Sequence, residues 1–121
     1  MTYVKGFCNF NIMKRIILYQ YQSPDLSVRV EAYFKDEKLI IEGYDVGKSV
    51  DEWFGDSDYE YSTTITGEEL EKTFMLFHIE KEDRDGLLKA IASEYNDNTC
   101  YSRFRKLLDE NDIKYDSFSF A

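Results

Sequence analysis

The chain is poor in the residue types that build metal sites and disulfide frameworks. Its 121 residues include two cysteines and one histidine. Cys8 and Cys100 form no CxxC or Cys/His spacing, so we predict no structural metal site. Two thiols in a chain without a signal peptide are more often reduced than bridged, and we therefore expect the protein to be cytoplasmic.

The chain also lacks long apolar segments. No window of about 18 consecutive apolar residues occurs, so we expect no membrane-spanning helix and no membrane partner. Near the N-terminus, polar and charged residues between Lys5 and Arg15 interrupt any stretch that could serve as the apolar part of a signal peptide. One proline and six glycines predict few long loops.

None of the common catalytic motifs is present. The chain contains no phosphate-binding P-loop, no dinucleotide-binding glycine pattern, no HExxH and no GxSxG. His78 has no serine, cysteine or carboxylate at a known catalytic spacing, and Cys100 lies on an apolar stripe, where a buried thiol is expected. We therefore predict that the protein is not an enzyme and needs no cofactor.

One acidic stretch resembles the start of a calcium-binding loop, with carboxylates at Asp56, Asp58 and Glu60. An EF-hand loop that begins at Asp56 requires glycine at position 61 and glutamate at position 67, where this chain has Tyr61 and Gly67. We therefore predict no calcium or magnesium site there.

The chain does contain enough apolar and aromatic residues for a folded domain. Hydrophobic residues make up 43% of the sequence and aromatic residues 17%, which excludes a disordered chain. A chain of this length forms one domain that buries about two-thirds of its unfolded surface. We assign residues 1–121 to a single domain, with residues 1–12 as a possible N-terminal extension.

Alternating polar and apolar residues predict four consecutive strands. Residues 27–44 read as a hairpin closed by a tight turn at Asp36 and Glu37. In residues 58–66 an aromatic face alternates with a polar one. Residues 15–22 have apolar side chains at both odd and even positions, and so on both faces of the strand, which is typical of a central strand covered on both faces. The sequence therefore predicts a four-stranded antiparallel meander.

Three helices and a last strand are predicted after the meander. Thr66 and Glu69 fit a capping box, and Asp83 is placed to cap a second helix. A polar break before Cys100 starts the third helix. In the last strand, Ile113–Phe120, the apolar residues change from odd-numbered to even-numbered positions, which indicates a bulge or an edge. We predict an α+β fold, in which about three helices pack on one face of an antiparallel sheet of four to five strands.

The segment between the third and fourth strands holds the single tryptophan. Val50, Trp53 and Phe54 are spaced to share one face of a short helix. We predict that Trp53 anchors the core and does not serve as a ligand platform.

A glycine and aspartate pattern runs through the same region: Ile41-x-Gly43-x-Asp45-x-Gly47, followed by Gly55-Asp56-Ser57-Asp58-Tyr59-Glu60-Tyr61. Over about Met13 to Thr66 this pattern resembles a group of small bacterial proteins to which no activity is assigned. The resemblance implies the fold and a bacterial origin. In size and acidity the chain also resembles the immunity partners of bacterial toxins.

Charge is distributed unevenly along the chain. The net charge is −9. Residues 45–83 carry twelve acidic residues against three lysines, whereas the remaining segments are close to balanced. Nucleic-acid binding without sequence preference needs a basic surface, so we expect no nucleic-acid partner. An acidic surface instead favours a basic protein partner.

We therefore predict a protein-binding module that presents the acidic surface of residues 45–83 to a basic partner, as an immunity-type protein presents one to a toxin. Six carboxylates are the predicted partner-binding residues: Asp45, Asp51, Glu52, Asp56, Asp58 and Glu60. The alternative is a small-ligand-binding or self-associating domain that uses an aromatic surface formed by Tyr33, Tyr44 and Trp53, in which case a homo-oligomer is expected.

Overall fold

The computed structural model describes residues 14–47 and 58–120. Its elements are β1 (Arg15–Gln22), β2 (Leu26–Lys35), β3 (Lys38–Gly47), β4 (Asp58–Thr66), α1 (Gly67–Leu76), α2 (Arg84–Glu94), α3 (Cys100–Glu110) and β5 (Asp116–Phe120). The strands form one antiparallel sheet in the order β1-β2-β3-β4-β5. The predicted α+β class is confirmed. The predicted extension of residues 1–12 and the predicted helix around Trp53 lie outside the described residues.

The β2–β3 hairpin forms where the alternation predicted it. Lys35 pairs with Lys38, which leaves Asp36 and Glu37 as a two-residue turn. Asp36 has a φ of 55°. Aspartate adopts this left-handed conformation more readily than most residues with a side chain, so the turn residues suit the turn.

The core lies between one face of the sheet and the three helices. Buried apolar residues of β1 to β4 and of all three helices form a single cluster. Its completely buried members are Ala32, Leu39, Ile41, Ile65, Leu87, Ile91, Phe104 and Leu108. The helices thus cover one face of the sheet, as predicted, and the opposite face is called the outer face below. Within the described residues, no helix combines the length and apolar character needed to cross a bilayer.

The prediction that β1 is a central strand is wrong. Among the described strands, β1 lies at one edge of the sheet. Its pairing with β2 shifts register between Ile17, opposite Glu31, and Tyr19, opposite Val30. Leu18 lies within this shift and is buried in the core, while Ile17 is exposed. The two apolar parities of β1 therefore arise from a register shift and not from cover on both faces.

The predicted capping box at α1 is also wrong. Thr66 precedes the helix but makes no side-chain capping hydrogen bond. The Glu69 carboxylate accepts instead from the backbone N–H of Lys114, at 2.8 Å, and from Lys72 Nζ, at 3.3 Å. The predicted cap of α2 is confirmed, since Asp83 Oδ1 accepts from the backbone N–H of a residue in the first turn at 2.9 Å.

The last strand begins three residues later than predicted. Ile113 is buried in the core, and the backbone of Lys114 is held by α1, so neither pairs with β4. β5 pairs with β4 from Asp116, opposite Thr64, onward. All five residues of β5 are exposed, and β5 forms the second edge of the sheet within residues 14–47 and 58–120.

Candidate functional site

The structure separates the predicted partner-binding residues. Asp58 and Glu60 lie on the outer face of β4, since they alternate with the core-facing residues Thr63 and Ile65. Asp45 pairs with Tyr59 and lies on the opposite, helix-covered face. The other three, Asp51, Glu52 and Asp56, lie outside the described residues.

On the outer face, Glu60 sits in a row of aromatic residues that crosses three strands. Glu60 pairs with Tyr44 of β3 on one side and with Phe120 of β5 on the other. Phe118 lies two residues away on the same face of β5. Phe118 is 60% exposed, Phe120 61% and Tyr44 40%. We call Tyr44, Asp58, Glu60, Phe118 and Phe120 the edge patch.

The edge patch carries negative charge. The sequences of β4 and β5 contain three acidic residues, Asp58, Glu60 and Asp116, and no lysine or arginine. The Tyr44 hydroxyl donates to Asp58 Oδ2 at 2.9 Å, which links the aromatic and acidic parts of the patch. A recess of about 350 Å³ opens beside Tyr44, Glu60 and Phe118. The patch therefore combines exposed apolar area with carboxylates.

The outer face of β1 and β2 has a different character, because its charges neutralise one another. Arg15 donates to Glu31 at 2.7 Å and to Glu42 at 3.1 Å. The Arg15 guanidinium also lies 4.0 Å from the ring centroid of Tyr33. The Tyr33 hydroxyl donates to Glu42 at 2.8 Å, and the side chain is 6% exposed. Tyr33 is therefore not available as the aromatic surface residue that the alternative hypothesis requires.

A second candidate site lies on the helix-covered face, between α3 and the strands β3 to β5. It is a cavity of about 460 Å³, which we call the tyrosine pocket. Among the residues that line it are Asp45, Tyr59, Tyr61, Tyr101, Arg105 and Ser119. Three strands and one helix supply these side chains.

Tyr61 and Asp45 form one wall of the tyrosine pocket. The Tyr61 hydroxyl donates to Asp45 Oδ1 at 3.0 Å. Burial raises the pKa of Asp45, and the hydrogen bond from Tyr61 offsets part of this rise. Burial and the neighbouring carboxylate raise the pKa of Tyr61. Asp45 is thus a carboxylate that is partly removed from water and that, among the described residues, has no basic side chain within 4.0 Å.

Tyr101 connects the helix to the floor of the pocket. Its hydroxyl shares a hydrogen bond of 2.8 Å with Thr63 Oγ1, and Thr63 is completely buried. The ring of Tyr101 meets the ring of Tyr61 edge to face, with centroids 4.7 Å apart. These contacts hold the tyrosines in one geometry, as buried aromatic pairs and shared hydroxyl bonds do.

Arg105 supplies the positive charge of the tyrosine pocket. Its guanidinium lies 5.9 Å from the ring centroid of Tyr101 and 5.2 Å from that of Tyr115. Arg105 Nη2 donates to the Tyr115 hydroxyl at 3.5 Å, a contact that raises the pKa of Arg105. Nε is buried without a hydrogen-bond partner. Within the described part of the chain, no carboxylate lies within 4.0 Å of this guanidinium.

Neither residue considered for catalysis belongs to the edge patch or lines the tyrosine pocket. His78 lies in the exposed turn after α1, with a φ of 59°. Cys100 is buried, and burial raises the pKa of its thiol, which disfavours the reactive thiolate. Residues 14–47 and 58–120 contain no group of three or more histidine, cysteine or acidic side chains that could hold a metal ion.

Sequence reasoning missed the two phenylalanines of the edge patch and every residue of the tyrosine pocket except Asp45. The sequence did contain a signal for the edge patch, since the two phenylalanines of the Asp116–Phe120 segment are two residues apart and therefore lie on the same face of a strand. The pocket had no local signal, because residues near positions 45, 61, 101 and 119 meet only in the folded chain.

No family model, curated protein or solved structure matches the chain. The resemblance to small bacterial proteins and to toxin-immunity proteins therefore stays a prediction.

Proposed function

We propose that this protein is a non-enzymatic binding module that holds a basic protein partner at the edge patch. The observation that carries this proposal is the pair of exposed phenylalanines, Phe118 and Phe120, on an edge strand whose neighbouring side chains are acidic. Large apolar side chains on an open edge are unusual in a monomer and mark interaction surfaces.

The backbone of β5 supports a partner that adds a strand. Among the described residues, β5 pairs with β4 alone, so its second edge presents N–H and C=O groups without a strand partner. Natural edge strands are commonly protected by lysine, proline or bulges. β1, the other edge, has Arg15 and the register shift at Leu18, whereas β5 has neither a basic residue nor a proline. An extended peptide of the partner would satisfy these backbone groups, as in other cases of strand addition.

The side chains of the edge patch favour a basic partner. Phe118 and Phe120 supply the apolar centre that interfaces usually have, and Asp58 and Glu60 supply a charged rim. Complementary charge mainly speeds association, so the association rate should fall as salt rises, over a screening length of about 10 Å at 0.1 M. The net charge of −9 acts in the same direction.

Self-association through β5 is the second candidate, since another copy of β5 could pair with the same edge. The negative charge of the two copies disfavours self-association. Two copies joined edge to edge would bring together two chains of net charge −9, without a lysine or arginine in either β4 or β5 to offset the repulsion. A basic partner removes this repulsion, and we therefore favour it.

The test is a pull-down from extract of the native cell with three baits. The first is wild type, and the second carries Asp58→Asn, Glu60→Gln and Phe120→Ser. The third is a matched control with Met75→Ser, Glu94→Gln and Glu110→Gln, which removes the same charge and an apolar residue that is 74% exposed on another surface. Circular dichroism verifies that all three fold.

We expect wild type and the control to recover the same basic protein at low salt, and the edge-patch bait to lose it. Equal recovery by all three baits would exclude the edge patch as the interface. Sedimentation velocity separates the second candidate: a wild-type dimer that the edge-patch substitutions dissociate would establish self-association in place of a basic partner.

A further inference from the structure

The tyrosine pocket has the size of a small-molecule site. Its volume of about 460 Å³ lies within the range of about 300–1,000 Å³ that is typical of ligand pockets. Tyr59, Tyr61 and Tyr101 supply aromatic surface, and Ser117 and Ser119 supply hydroxyl groups. The centroids of Tyr59 and Tyr61 are 5.4 Å apart, so the aromatic surface is continuous along this wall.

The pocket contains one acidic and one basic residue that do not neutralise each other. Asp45 and Arg105 are the charged side chains among the described residues that line it, and no ion pair joins them. By contrast, Arg15 is paired with Glu31 at 2.7 Å and Lys14 with Asp85 at 2.7 Å. A charge partly withdrawn from water without a partner is costly, and a ligand of opposite charge removes that cost.

The hydrogen bonds of both charged groups are also incomplete. Asp45 accepts one side-chain hydrogen bond in the described structure, from Tyr61, although a carboxylate can accept about four. Arg105 makes one long contact, to Tyr115, and its Nε has no partner. Of these two groups only Nε of Arg105 is a buried atom without a partner, and such atoms are uncommon in folded proteins and require an explanation. A bound ligand would provide it.

We propose that the tyrosine pocket binds a small aromatic zwitterion, whose ammonium group is held by Asp45, whose acid group is held by Arg105, and whose ring packs against the tyrosines. An amino acid with an aromatic side chain is the simplest molecule with all three features. Arginine suits the acid group because its planar guanidinium binds carboxylates through two parallel hydrogen bonds. The tyrosine rings attract both an aromatic ring and a nearby ammonium group.

The test uses three probes of similar shape: L-phenylalanine, phenylacetate, which lacks the ammonium group, and phenethylamine, which lacks the carboxylate. Each is titrated into ¹⁵N-labelled protein, and the amide signals of the pocket are followed by NMR. The ammonium group and the carboxylate each add a hydrogen bond to a charged side chain, so L-phenylalanine should bind at least about tenfold more tightly than either fragment.

Two variants measure separately how much Arg105 and Asp45 contribute to the affinity for the probes. Arg105→Gln should lower the affinity for L-phenylalanine and phenylacetate by about tenfold and leave that for phenethylamine unchanged. Asp45→Asn should lower the affinity for L-phenylalanine and phenethylamine and leave that for phenylacetate unchanged. Arg103→Gln is the matched control, because Arg103 lies on the same helix but is paired with Asp97 and does not line the pocket.

Three results would overturn the proposal. The first is the absence of saturable shifts at the pocket with all three probes. The second is equal binding of L-phenylalanine and phenylacetate to wild type, which removes any role for Asp45. The third is an equal effect of Arg105→Gln and Arg103→Gln. The edge-patch variant tested by pull-down leaves Asp45 and Arg105 intact, so it should bind L-phenylalanine as wild type does, and the two proposals can fail separately.

Discussion

The ring of Tyr61 lies over Gly43 of the neighbouring strand, in the space that a Cβ at position 43 would occupy. Glycine in a strand interior is unfavourable by itself, because it loses more conformational freedom than other residues and has no side chain to pack. Here the ring of a cross-strand partner fills the gap, and this position allows the Tyr61 hydroxyl to reach Asp45. The wall of the tyrosine pocket therefore depends on the absence of a side chain at position 43.

This relationship predicts a strong coupling between positions 43 and 61. Gly43→Ala should lower the free energy of unfolding by about 1–3 kcal/mol, as overpacking does. In a Tyr61→Val background the same substitution should cost little or be stabilising, because the ring atoms that would clash are gone. Urea titrations of the four proteins of this cycle provide the measurement. An equal cost of Gly43→Ala in both backgrounds would show that the ring does not determine it.

The hydrogen bond between Thr63 and Tyr101 predicts a different pattern of coupling. Thr63→Val keeps the shape of a fully buried side chain but leaves the Tyr101 hydroxyl without this partner, which should cost about 1–3 kcal/mol. Tyr101→Phe should also destabilise. The double variant should cost clearly less than the sum of the two, because neither hydroxyl remains to be satisfied. Additive losses in thermal unfolding would contradict this account.

Asp45 predicts a pH dependence of stability. Burial raises its pKa above the ordinary value of 3.8, so between that value and the higher folded-state pKa the folded protein binds more protons than the unfolded chain. The contribution of Asp45 to stability therefore falls as pH rises through this window. Asp45→Asn should gain stability relative to wild type as pH rises from below 3.8 toward neutrality.

Tyr61→Phe gives the control for this pH dependence. It removes the hydrogen bond that lowers the pKa of Asp45, so its loss of stability relative to wild type should grow as pH rises from the wild-type folded-state pKa of Asp45 toward the higher pKa in the variant. Unfolding curves measured across this pH range supply the test. A difference between Asp45→Asn and wild type that does not change with pH would refute the assignment.

Replacing the residue that precedes each of the helices α1 and α2 should change the free energy of unfolding by unequal amounts. Asp83→Ala should lower the free energy of unfolding by about 1 kcal/mol, because it removes the hydrogen bond that caps α2. Thr66→Ala should have a smaller effect, since the Thr66 side chain does not cap α1. Denaturant titrations of both variants suffice. Equal losses would mean that Thr66 caps α1 in solution after all.

Most of the fold could be predicted because it depends on short-range patterns. The β2–β3 hairpin followed from alternation on both sides of Asp36 and Glu37, and the start of α2 followed from Asp83. The position of β1 in the sheet could not be predicted, because a register shift of one residue moves side chains to the other face of the sheet. No sequence feature near Leu18 indicates this shift.

The candidate sites could not be predicted because their parts come from distant segments. Glu69 was assigned to a local cap, but its carboxylate is bound by the backbone of Lys114, 45 positions away. Asp45 and Asp58 belong to the same acidic segment of the sequence, yet strand pairing places them on opposite faces of the sheet. A charge that is contiguous in the sequence is thus divided between a pocket and an outer surface.

Photo-crosslinking at position 120 shows whether the edge patch contacts a basic partner in the cell. p-Benzoylphenylalanine replaces Phe120 in one protein and Met75 in a control, and both are irradiated in the native cell. If the edge patch binds a basic protein, position 120 should form an adduct with that protein, identified by mass spectrometry. Position 75 should form no such adduct. The absence of any adduct at position 120, or an adduct with a second copy of the chain alone, would contradict it.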